Sequence, residues 1–137
     1  MSARRISVKP ALLAAVCAMA LSLASCQAEA SFECGAMPLV LKGVESGQEL
    51  RYPIGGWHEA RAGYELVRVS LEPPEGERNP ARCPLALEDD QGNRFEPVTS
   101  WWQLTGPGLL MWEFEVPDTA SGLHLLLPDG AHVDLDL

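Results

Sequence analysis

Three histidines, His58, His124 and His132, are the side chains best suited to hold a transition ion. A metal site would need two or three of them to converge. If Val133, Leu135 and Leu137 share an inner face with Leu123, Leu125 and Leu127, then His124 falls opposite Asp136 and His132 opposite Pro128. Both imidazoles then point outward, four positions apart. At roughly 3.4 Å per residue that is about 13 Å, too far for one ion. The expectation is therefore of single exposed histidines, with no metal and no cofactor. Met37 and Met111 stand in no His/Met arrangement that would hold copper. The acidic run EDDQGN at 88–93 fails as a calcium loop of the EF-hand kind, because its twelfth position from Glu88 is Thr99 rather than Glu. Asp and Asn beside Gly are what a hairpin turn requires.

Nucleophilic chemistry finds no more support. Ser31, Ser46, Ser70, Ser100 and Ser121 lack a nucleophile elbow. The glycine-containing GWHEARAG at 56–63 lacks the lysine of a phosphate-binding loop, and no pair of carboxylates is marked out as acid and base. No catalytic residue is assigned, and the chain reads as a non-enzyme. The tryptophans suit binding instead. Trp112 belongs to the core by alternation. Trp101 and Trp102 are adjacent, so in a strand they point to opposite sides. With Trp57 in the turn-like IGGWHEARAG, they are the candidate binding residues, on expected loops at 54–62 and 99–108.

The first residues supply an address. Arg4, Arg5 and Lys9 precede an apolar run from Ala11 to Leu23, about thirteen residues, which suits the apolar region of a secretory signal and is short of the roughly 20 of a membrane span. The run ends in Leu23-Ala24-Ser25-Cys26. Charge, run and this lipobox together resemble a bacterial lipoprotein precursor. The resemblance implies that residues 1–25 are removed as a signal peptide and that Cys26 is acylated and becomes the mature N-terminus. It implies lasting anchorage to a membrane, since two or more acyl chains hold a protein where one holds it only marginally. Gln27, rather than Asp, implies the outer membrane, at its periplasmic face, in lipoproteins sorted like those of enteric bacteria. Residues 26–31 read as the lipidated terminus and a short polar linker, and residues 32–137 as one domain.

All 19 acidic residues but only seven of the ten basic ones follow residue 25, so that part carries a formal net charge of −12. This argues against nucleic acid, whose phosphates demand Lys and Arg. It suits a cationic protein partner, whose encounter an acidic field speeds. Of four cysteines, Cys17 lies in the signal and Cys26 carries lipid. Cys34 and Cys83 remain, an even pair in an oxidising compartment, and one disulfide between them is expected.

Period-two alternation dominates the rest. Strands are expected at 39–41, 48–53, 64–71, 84–88, 94–98, 110–116, 123–127 and 132–137, broken by the proline-rich 72–82 loop and the turns DDQGN and PDG. Seven or eight short strands argue for an all-β, antiparallel β-sandwich. Three stretches in order, GYELVRVSLEP at 63–73, LALEDDQGNRFEP at 85–97 and WEFEVPDTASGLHLLL at 112–127, resemble the immunoglobulin-like (telokin-like) domain of bacterial lipoproteins of unassigned function. The proline-rich loop and Cys83 depart from that pattern. Together these features imply a lipid-anchored protein-binding or accessory module of the cell envelope. A second reading is an inhibitor of a cationic envelope-attacking enzyme such as lysozyme. Small acidic disulfide-bonded lipoproteins do that work, although their Ser-rich loop is missing here. A third is a carrier of a small ligand or metal.

Overall fold

Alternation in two central strands sets the plan. In the computed structural model, which describes residues 5–6, 30–52, 55–104, 106 and 108–137, Val67, Val69 and Leu71 of β6 (Tyr64–Glu72) lie beside Leu110, Trp112, Phe114 and Val116 of β10 (Leu109–Pro117). The register pairs Val69 with Trp112 and Val67 with Phe114, and all seven side chains are buried. Against them pack Leu85, Leu87, Leu123, Leu125, Leu127, Val133 and Leu135 from the facing sheet. Each such aliphatic side chain removed from water contributes about 1.5–3 kcal/mol before the entropy of ordering is subtracted.

The other strands, in chain order, are β1 (Arg5–Ile6), β2 (Ser31–Cys34), β3 (Met37–Gly47), β4 (Glu49–Arg51), β5 (Trp57–Glu59), β7 (Ala86–Glu88), β8 (Arg94–Phe95), β9 (Thr99–Gln103), β11 (His124–Leu126) and β12 (His132–Asp134). One sheet runs β2-β3-β6-β10-β9, the other β1-β12-β11-β7-β8, and β4-β5 forms a separate hairpin. All pairings are antiparallel except that of β1 with β12. The chain is an all-β sandwich, as its alternation predicts.

Several strands differ from expectation. β3 runs on to Gly47 because a bulge between Leu41 and Gly43 absorbs one residue. Leu41 pairs with Leu71 and Val44 with Val69, so both reach the core although they are three positions apart. That extra residue breaks the period and hides the second half of the strand from a pattern search. Ala30 is buried, its carbonyl accepts from Leu41 N–H, and Ser31 opens β2, so the sheet takes in the last two of the positions 26–31. Gly35 then takes a φ of 64°, which suits the first position of the two-residue turn into β3. The segments 54–62 and 99–108, expected as loops, contain strands β5 and β9. The other positions expected as signal peptide, and Cys26, expected as the lipidation site, lie outside the described residues.

Cys34 and Cys83 are disulfide-bonded, with their Cα atoms 5.8 Å apart. Both are buried in the core, so the bond ties edge strand β2 to the segment that enters the opposite sheet at β7.

Candidate functional site

The outward faces of β6 and β10 alternate Leu66, Arg68 and Ser70 with Met111, Glu113 and Glu115. Polar residues at these positions predict a solvated face. The structure instead lays the β4–β5 hairpin over it, and Leu50, Leu66 and Met111 are buried outside the main core. Arg68 and Glu113 stand directly opposite each other, 3 % and 0 % exposed. A buried ion pair needs nearly every polar atom satisfied. Arg68 Nη2 donates to Glu113 Oε2 at 3.2 Å, and Nη1 donates to the carbonyl of Arg51 in β4 at 2.7 Å. His58 Nδ1, from β5, donates to the other carboxylate oxygen of Glu113. The guanidinium carbon lies 5.1 Å from the Tyr52 ring and 5.4 Å from the Trp101 ring, within cation–π reach. Those two rings meet edge to face at 5.7 Å. Arg68 Nε is buried with no hydrogen-bond partner. Burial, then the nearby Glu113 carboxylate, holds the Tyr52 hydroxyl above its ordinary pKa, against the pull of Arg68.

This network fixes the hairpin on the sheet and decides the fate of each tryptophan. In the β4–β5 register Trp57 pairs with Arg51, while Leu50 pairs with His58 on the inner side. Trp57 therefore points away from the sandwich and is 61 % exposed. Trp101, opposite Met111, lies on the covered outer face. Trp102, opposite Leu110, turns toward the core and is stacked by Arg78 at 4.6 Å. The adjacent pair does face opposite ways, but both rings are half-buried, and Trp57 is the exposed member of the three. Leu104 and Val98, which flank edge strand β9, are exposed as well.

The histidine geometry corrects the sequence reading. The β11–β12 register pairs His124 with Asp134 and Leu126 with His132, two residues away from the expected alignment. The tight turn at Pro128–Gly130 sets it: Gly130 N–H donates to Leu127 O, Leu127 N–H donates to Ala131 O, and Asp129 Oδ1 accepts from Ala131 N–H. The two imidazoles, expected about 13 Å apart, stack with ring centres 4.4 Å apart. His124 is buried, and Glu88 of β7 stands directly opposite it. His58 is not solitary either, being bound to Glu113.

The DDQGN turn behaves as a turn. Asp89 Oδ1 accepts from the backbone N–H of Gln91 and Asn93, Oδ2 accepts from the Asn93 amide, and Gly92 takes a φ of 83°. The Asn93 amide, above all, holds the Asp89 carboxyl below the usual aspartate range, against a smaller opposing effect of desolvation. A depressed folded pKa gives a stabilising contribution that is complete above the unfolded value and disappears as pH falls through the folded one. Carboxyl-carbon NMR should show Asp89 titrating below an ordinary aspartate. A midpoint at or above the ordinary value would contradict the hydrogen bonding described.

An uncharacterised β-sandwich protein from Clostridium difficile has a similar solved structure, with a TM-score of 0.54 at 9 % identity, covering 77 % of this chain and 89 % of that one. At that identity the likeness shows the fold alone. No protein-family model matches the chain, and no curated protein is significantly similar to it.

The sequence pattern missed the Arg68–Glu113 pair and the partnership of Glu88 with the histidines. A signal for the first exists: opposite charges at one height on two adjacent strands of matching phase. It becomes readable once the β6–β10 register is known.

Proposed function

We propose that this chain is a lipid-anchored protein of the bacterial cell envelope, held through acylated Cys26, whose immunoglobulin-like sandwich works as a non-enzymatic protein-binding or accessory module. The observation that carries this reading is Trp57. It is the most exposed tryptophan, and it sits on a hairpin pinned to the sheet by a buried ion pair. Exposed tryptophans are enriched among residues that dominate binding energy. Rigid presentation lowers the entropy lost on association. Val98 and Leu104, which flank edge strand β9, add exposed apolar side chains to the surface.

The net charge of −12 after residue 25 favours one further reading, an inhibitor of a cationic enzyme. A crosslinked pull-down of the lipidated protein from its own envelope separates the two. For the module reading, the partner is recovered at low and high salt and lost with Trp57→Ala. That variant should leave stability within about 0.5 kcal/mol of the parent, as for an exposed side chain away from other contacts. Binding that vanishes in high salt and survives Trp57→Ala would replace this reading with the inhibitor, and lysozyme inhibition would then be assayed. Recovery of Cys26→Ser in the membrane fraction, in the same amount as the parent, would remove the anchor from either account.

A further inference from the structure

The sheet on the far side of the sandwich from the Trp57 hairpin brings together three side chains that no step of the binding reading uses. Glu88, His124 and His132 project from adjacent strands β7, β11 and β12. Glu88 is directly across from His124, and His132 is its diagonal neighbour. One ligand atom from each lies within 4.8 Å of the other two.

The hydrogen bonding of His124 leaves a gap in its own account. Nδ1 is 3.0 Å from the carbonyl oxygen of Gly122, which can only accept, so Nδ1 carries the proton. In a neutral imidazole Nε2 is then a lone pair. It lies 3.0 Å from Glu88 Oε1, a second acceptor. Two lone pairs at that distance repel unless a positive centre lies between or beside them. An imidazolium proton would serve for this pair alone. His132 Nε2, however, approaches the same carboxylate oxygen at 3.8 Å, and its ring stacks on that of His124 with 26° between the planes. A proton on His124 Nε2 serves one imidazole, whereas a metal ion accepts the lone pairs of both. The separations of 3.0 and 3.8 Å at Glu88 Oε1 lie either side of the roughly 3.3 Å edge of a tetrahedron built on bonds of about 2.0–2.1 Å, and the third, within 4.8 Å, closes with a small movement of the partly exposed His132 ring. A carbonyl that accepts from the far nitrogen is also how metal-binding histidines are commonly oriented.

We infer that Glu88, His124 and His132 bind a late first-row divalent ion, with zinc as the natural occupant. Two imidazoles and one carboxylate suit zinc or its neighbours and disfavour calcium and magnesium, which take oxygen. Three protein ligands leave a fourth position open, the mark of a site that exchanges ligands rather than one closed around a structural ion. Glu88 and His132 are partly exposed, so that position is reachable from solvent.

Titration of the full chain in detergent with cobalt(II) chloride tests this, with zinc chloride as competitor. The expected result is one saturable equivalent with d–d absorption of a four- or five-coordinate ion and no sulfur-to-metal band, displaced by zinc. Affinity should fall at least tenfold in His132→Gln and Glu88→Gln. Zinc should raise the melting temperature of the parent and not of His132→Gln. His124→Gln should bind no cobalt, but its buried position makes the partly exposed His132→Gln the deciding variant. Absence of saturable binding would overturn the inference. So would affinity unchanged in His132→Gln and Glu88→Gln, or a sulfur-to-metal band, which would assign the ion to cysteine.

Discussion

Glu113→Ala should destabilise the fold by about 3–5 kcal/mol, the cost of leaving a buried cation without its partner. Arg68 would remain 3 % exposed with Nη2 facing an empty cavity, and its Nε already lacks an acceptor. His58 would lose the carboxylate that holds it, and the β4–β5 hairpin would be left with buried Leu50, the Arg51 carbonyl bond and the stacking of Arg68 on Tyr52 and Trp101. The same loss is not expected when both charges go. Arg68→Met with Glu113→Leu removes the desolvation cost together with the attraction, and such exchanges are often neutral or stabilising. The double variant should therefore recover most of the stability lost by Glu113→Ala. Its hairpin, without the bond to the Arg51 carbonyl, should nonetheless bind the Trp57 partner less well. Urea denaturation of the single and double variants checks the first claim, and the pull-down checks the second. A single variant within 1 kcal/mol of the parent would mean that Arg68 escapes to solvent and that the hairpin is not pinned.

Loss of the Cys34–Cys83 bond should cost about 4 kcal/mol on the chain-entropy model. The cysteines are 49 residues apart in sequence, so the bond removes a large loop's freedom from the unfolded chain. Most of the effect is thus absent from the native contacts, and Cys34→Ala with Cys83→Ala should unfold at much lower urea with a steeper dependence on denaturant, because the unfolded state expands. Beyond entropy, the bond ties edge strand β2, whose ladder partner among the described strands is β3, to the residues that lead into β7. In a domain whose total stability is of the order of 5–15 kcal/mol, the loss is a large share. A reduced protein as stable as the oxidised one would show that β2 is held by Phe32 and its pairing with β3.

Much of this was legible in the residues. Val67, Val69 and Leu71 against Arg68 and Ser70, and Trp112 and Phe114 against Glu113 and Glu115, give strands with one apolar face. Setting Cys17 and Cys26 aside as parts of an expected export signal leaves Cys34 and Cys83, which are the bonded pair. Adjacent Trp101 and Trp102 must part to opposite faces, and they do. Strand β9 was hidden because Thr99-Ser100-Trp101-Trp102-Gln103 does not alternate in polarity, and β5 because its three residues sit among glycines.

By itself, the sequence determined the β-sandwich, the inward face of each long strand and the disulfide pairing, because period-two hydrophobicity and cysteine arithmetic are local and countable. The tertiary structure alone decided which outward residues meet. A slip of one residue would turn every side chain to the wrong face, but a slip of two returns each to its own face and leaves the hydrophobic pattern unchanged. Such a two-residue difference separates His124 opposite Asp136 from His124 opposite Asp134, and distant histidines from stacked ones. The same blindness applies to Arg68 and Glu113: alternation points them outward, and only the folding of β4–β5 over that face encloses them.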